Sequence, residues 1–103
     1  MAKAQRFFNG NDSYGRNVEV AQSVEGVWFY RAYEFNGYAK AWSRWEVLNE
    51  DNIRWETHGR NVYSDEVFQW DKPRLSWGFN LLTEWANLPR VRLPNIEKKE
   101  LIS

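Results

Sequence analysis

Apolar and polar positions alternate along much of this chain with the period of two that a half-buried strand requires, and turn formers cut the alternation into short runs. The run 5–8 ends in Asn9-Gly10-Asn11-Asp12-Ser13, a dense group of turn residues, and is read as a short first strand. In residues 17–23, Val18, Val20 and Gln22 alternate with Glu19, Ala21 and Ser23, which predicts a second strand closed by a break at Glu25-Gly26. Residues 26–47, GVWFYRAYEFNGYAKAWSRWEV, organise the rest. Two aromatic-rich runs flank Asn36-Gly37, the dipeptide suited to a two-residue type I′ hairpin turn because both central residues need positive φ.

Counting outward from a two-residue turn pairs Phe35 with Tyr38, Tyr33 with Lys40, Arg31 with Trp42 and Phe29 with Arg44, all on one side of the ribbon. The other side then carries Glu34 with Ala39, Ala32 with Ala41, Tyr30 with Ser43 and Trp28 with Trp45, followed by Val47. Small residues near the turn and rings near the base make that second side the expected buried one. The first side, aromatic residues interleaved with Arg31, Lys40 and Arg44, is the expected exposed one.

Beyond the hairpin, Ile53, Trp55 and Thr57 alternate with Arg54, Glu56 and His58 and predict another strand. Residues 62–70 fit helix or strand, and Asp71-Lys72-Pro73 is read as ending that segment. Over 75–88, Leu75, Phe79, Leu82 and Trp85 fall at helical intervals, with Ser76 as cap and Asn87 with Pro89 as stop, so a short helix is expected over 76–87. Trp77, Phe79, Leu81, Thr83 and Trp85 form the competing strand pattern. Val91 and Leu93, between Pro89 and Pro94, suit an edge strand. The expected fold is α+β, mainly an antiparallel twisted sheet of five or six strands with one short C-terminal helix, and a small all-β barrel is the alternative. Residues 1–94 form one globular domain and 95–103 a solvated tail, since 103 residues leave no room for a second core.

Composition narrows the chemistry. Aromatics are 17% of the chain, with Trp 7, Tyr 5 and Phe 6, so a few large rings must supply most of the burial. Fourteen basic and 14 acidic residues cancel, which gives no general attraction to nucleic acid or anionic lipid. The absence of Cys removes disulfides, thiolate catalysis and Cys-ligated metal. No apolar segment is long enough for a secretory signal or a membrane span, so a soluble cytoplasmic protein is expected.

Gly10 to Asn17 has the glycine spacing of a phosphate-binding loop but Arg16 and Asn17 where Lys and Ser or Thr belong, and Asp12 would repel phosphate, so a turn is the better reading. His58 is the only histidine, which excludes multi-histidine metal sites and leaves it the sole histidine base for a hydrolase. The carboxylate pairs Glu50-Asp51 and Asp65-Glu66 are adjacent in sequence and suit turns and caps better than a two-carboxylate cleft.

The remaining candidate is the aromatic and basic hairpin face: Phe29, Arg31, Tyr33, Phe35, Tyr38, Lys40, Trp42 and Arg44. Those residue types supply binding hot spots on protein surfaces. The expectation is a small non-enzymatic binding or regulatory protein, without cofactor or metal, that meets a protein partner or a second copy of itself through this face. A single-stranded nucleic-acid binder, with rings on bases and cations on phosphates, is the alternative. A hydrolase centred on His58 is the third reading, and packing of the same rings into a core is the reading without function.

Overall fold

A computed structural model describes residues 2–59, 68–76 and 78–95. Among them, strands β1 (Ala2–Asn11), β2 (Asn17–Ser23), β3 (Trp28–Phe35), β4 (Lys40–Trp42), β5 (Glu46–Leu48), β6 (Ile53–Gly59), β7 (Phe68–Leu75), β8 (Asn80–Glu84) and β9 (Arg92–Leu93) account for nearly all the regular structure. The only helical element there is a short 3₁₀ turn, Glu50–Asn52, capped by the Asn49 side chain, which accepts from the Asp51 N–H. The expected helix over 76–87 is therefore replaced by β8.

The physical reason lies in Gly78. Its φ of +84° is the conformation of a tight reversal, and the chain turns there so that Leu75 and Phe79 form an antiparallel bridge. Residues from Phe79 onward then run back as a strand, and Phe79 and Leu81, both from the competing alternation, enter the core. The strand is held at close range. A Cβ on Gly10 would lie 1.9 Å from the Asn80 carbonyl oxygen, so only glycine lets β1 and β8 approach this way.

The main sheet has seven strands in the order β4-β3-β2-β1-β8, with β5 also paired to β3 and β9 also paired to β1, and every pairing is antiparallel. It stays open, so it is no barrel, and it exceeds the five or six strands expected. β6 and β7 form a separate two-stranded sheet. Pro73, expected to terminate the segment before it, instead lies inside β7 opposite Trp55, which a strand of a two-stranded ribbon tolerates.

The sheet buries residues on both faces. One face carries Phe8, Val18, Val20, Trp28, Ala32, Leu48 and Leu81, packed with Leu75 and Phe79 and bordered by Tyr30, Ile53 and Trp55. The other carries Phe7, Ala21 and Phe29 under Leu93, bordered by Ala4, Val27, Trp45 and Val91. Two adjacent Phe residues in β1, pointing to opposite faces, thus seed both cores. β1 extends well beyond the short strand expected from 5–8, because its start pairs with β9 and its end, including the expected turn residues Asn9, Gly10 and Asn11, pairs with β2 and β8.

Candidate functional site

The hairpin of β3 and β4 is longer in its turn than the Asn36-Gly37 dipeptide implies. Phe35 pairs with Lys40, Glu34 with Ala41 and Tyr33 with Trp42, so the loop spans residues 36–39. The Asn36 side-chain oxygen holds it closed, accepting from the N–H of Tyr38 at 3.1 Å and of Ala39 at 3.2 Å. Each residue of β3 therefore meets a partner two positions further along than expected. A shift of two keeps every side chain on its face, which preserves the aromatic row Tyr33, Phe35 and Trp42 with Lys40.

The register changes again at residues 43–45. Tyr33 opposes Trp42 but Tyr30 opposes Glu46, so three steps along β3 correspond to four on the other strand. The extra residue is a β-bulge, stabilised by Ser43: its hydroxyl accepts from the Ala32 N–H at 3.0 Å and donates to the Arg44 carbonyl at 3.2 Å. The bulge moves Trp45 and Val47 across the ribbon. Both were expected beside Trp28 and Tyr30, yet Trp45 packs edge-on to Phe7, on the opposite core, at 6.5 Å between ring centroids.

The expected site residues consequently divide. Phe29 is 1% exposed and belongs to the core. Arg31 is half-buried, its guanidinium carbon 4.9 Å from the centre of the Trp42 ring and 4.6 Å from that of Trp45, while its Nε donates to Glu19 at 2.7 Å. Tyr33 and Trp42 meet edge-to-face at 5.3 Å and are each 37% exposed. Phe35 is 66% and Tyr38 95% exposed, and Lys40 and Arg44 are also exposed. Ala39 and Ala41, expected to be covered by another layer, face solvent as well.

Two members of this face were not legible beforehand. Trp45 joins it only through the bulge, and Glu19 only because β2 pairs with β3 in the register Glu19↔Arg31. The Glu25-Gly26 break marked that turn without giving its length. Together they hold Arg31 as a platform for Trp42, leaving Tyr33, Phe35 and Trp42 as a ring surface with Lys40 on the same face and Arg44 exposed in the bulge. Among the described residues neither Lys40 nor Arg44 forms an ion pair.

The opposite face of the same hairpin is polar at its rim and internally satisfied. Arg16 bonds Asp12 through Nε at 2.6 Å and Glu34 through Nη1, and the Tyr30 hydroxyl donates to Glu46. Burial of Asp12 raises its carboxyl, but hydrogen bonds from Arg16 and Tyr14 and the Arg16 charge outweigh this and hold it below the ordinary range. The Asp12 hydrogen bond raises the Arg16 guanidinium in turn. Burial, then the hydrogen bond to Glu46 and its charge, push the Tyr30 phenol up to about 12. These groups fold the loop 12–16, whose Asp12 accepts from the backbone N–H of Tyr14 and Arg16, which is the turn expected there.

His58 sits on β6 opposite Gln69, and its side chain lies outside the described residues, as do residues 60–67 with Asp65-Glu66. Among the described residues no group of three or more His, Cys, Asp or Glu side chains could hold a metal ion, and no helix is long and apolar enough to cross a membrane. The chain matches no protein-family model, no curated protein and no solved structure.

Proposed function

We propose that the chain is a non-enzymatic protein-binding module whose recognition surface is the distal half of the β3–β4 hairpin. The observation that carries this reading is the exposure of Tyr33, Phe35, Tyr38 and Trp42, with Lys40 and Arg44 forming no ion pair among the described residues. Contiguous exposed rings on an otherwise well-packed sheet are what a partner covers. Rings supply burial at little side-chain entropy, and cations at the rim select carboxylates. The partner chemistry that fits is an apolar segment flanked by acidic residues.

Arg31 contributes by position. Its charge is already met by Glu19, so it supports Trp42 from beneath and leaves the outer face of the ring for contact. This also weakens the nucleic-acid reading, because of the basic residues assigned to this face Arg31 is already paired and the net charge of the chain is zero.

The test is affinity capture from the native cell with the wild-type chain and with Tyr33→Ala and Trp42→Ala, checking each variant's fold by circular dichroism. The expected result is a protein recovered by the wild type and lost by both folded variants. Unchanged recovery would overturn the reading, and so would binding to a single-stranded oligonucleotide that weakens steeply with salt.

A further inference from the structure

The outer edge of β4 carries main-chain groups and side chains arranged to meet a copy of themselves. β4 ends the strand order of the sheet, and among the described residues no strand pairs with its outer edge. Which backbone groups face that edge follows from the ladder. Ser43 N–H donates to the Ala32 carbonyl at 2.8 Å, and Asn36 N–H donates to the Ala39 carbonyl at 3.1 Å. In an antiparallel ladder, residues that bond inward alternate with residues that bond outward. Ala39, Ala41 and Ser43 therefore direct their main-chain groups toward β3, and Lys40 and Trp42 direct theirs outward.

We infer that β4 pairs antiparallel with β4 of a second copy about a twofold axis through Ala41, making one sheet continuous across a homodimer. In this register Lys40 stands opposite the partner's Trp42, and Trp42 opposite the partner's Lys40. Both members of each pair present outward N–H and C=O groups, so each pair exchanges two hydrogen bonds. Lys40 and Trp42 are a cation and a ring on the same face, so reversing the strand places a cation against a ring at both of these pairs.

The adjacent registers lose this match. With the axis at Lys40 or at Trp42 only one residue of the three-residue strand meets its counterpart, and at Lys40 the two ammonium groups oppose each other. Like charges directly opposite are destabilising, so the side chains select the register through Ala41. The isologous contact closes on itself and leaves no further edge at that side. Three residues make a short seam, below the area of a permanent interface, so the dimer is concentration-dependent. It goes beyond recognition by the aromatic face, since it uses the main-chain edge and stands whether or not that face binds another protein. It would also set two aromatic faces side by side.

The absence of cysteine provides a direct test. A residue on the axis lies opposite itself, and as a non-hydrogen-bonded pair its two Cα atoms come to about 4.5 Å, within disulfide reach. Ala41→Cys is expected to give a disulfide-linked dimer under mild oxidation. Ala39→Cys, which opposes Ser43 of the partner subunit, is expected to stay monomeric. Lys40→Pro removes an outward N–H together with the Lys40 cation, both of which belong to the seam and neither to the bonds with β3, so in sedimentation it should weaken self-association at least tenfold while retaining the wild-type circular dichroism, and in the Ala41→Cys background it should suppress the crosslink. The folded Tyr33→Ala variant should still dimerise, which separates failure of this inference from failure of the face. A wild-type chain that sediments as monomer at all concentrations, or equal crosslinking by Ala39→Cys and Ala41→Cys, would overturn the proposal.

Discussion

β3 runs through two environments, and its two halves invite comparison. At its root, Trp28 and Phe29 point to opposite faces and both are buried, the one beside Trp55 and Phe8, the other beneath the second core. At its tip, Tyr33 and Phe35 occupy the same face as Phe29 and are exposed. The residue types are alike, so hydrophobicity does not distinguish the halves. What differs is the layer above them: Leu93 and Val91 pack with the root, and among the described residues the tip has only β4, a three-residue strand, paired beside it. A ring in a strand is core or exposed surface according to what the distant chain brings over it.

The largest effect that would break this contrast belongs to the root. Phe8→Ala removes a fully buried ring between Val20, Trp28 and the Arg6 guanidinium, and should cost about 3–5 kcal/mol in urea unfolding. A cost below about 1 kcal/mol would mean the root is no better packed than the tip.

Next comes the loop that braces the opposite face of the tip. Asp12→Asn breaks the ion pair to Arg16 and weakens a set of hydrogen bonds, and should cost about 1–3 kcal/mol at neutral pH. The folded carboxyl is more acidic than its ordinary 3.8, so its stabilisation is complete above that value and is lost as pH falls through the lower folded value. Acid unfolding curves of wild type and variant should converge below that range; parallel curves would contradict the assignment.

A smaller effect is expected of Tyr30→Phe, about 0.5–1.5 kcal/mol at neutral pH, from loss of the bond to Glu46. Here the sign is reversed. The phenol titrates near 12 when folded against an ordinary 10.0, so its contribution is complete below pH 10.0 and is lost as pH rises through about 12. The variant should lack that alkaline decline in stability.

Much of this was legible from local pattern, and the failures have identifiable causes. Asn17–Ser23 alternates cleanly and is the strand β2 with the boundaries expected. Asn36-Gly37 located the hairpin but not its loop length, because Asn36 can cap a four-residue loop as readily as enter a two-residue turn. The aromatic row survived that error since a shift of two preserves faces. Trp45 did not survive the bulge, since one inserted residue inverts everything beyond it, and no local residue type announces a bulge held by a serine hydroxyl. Phe29 was grouped with the exposed rings because alternation assigns a face without saying where along that face the cover stops. Over 76–87 the apolar spacings suited both periods, and the decision came from the reversal at Gly78 and from pairing with Gly10, a residue about 70 positions away in sequence.

The central claim is that one face of one strand changes from core to exposed surface within six residues. It is tested most directly by urea unfolding of Phe29→Ala and Phe35→Ala side by side, the same deletion on the same face. The account predicts a loss of about 3–5 kcal/mol for Phe29→Ala and within about 0.5 kcal/mol of wild type for Phe35→Ala. Comparable losses for the two would contradict it, because the tip would then be held as core.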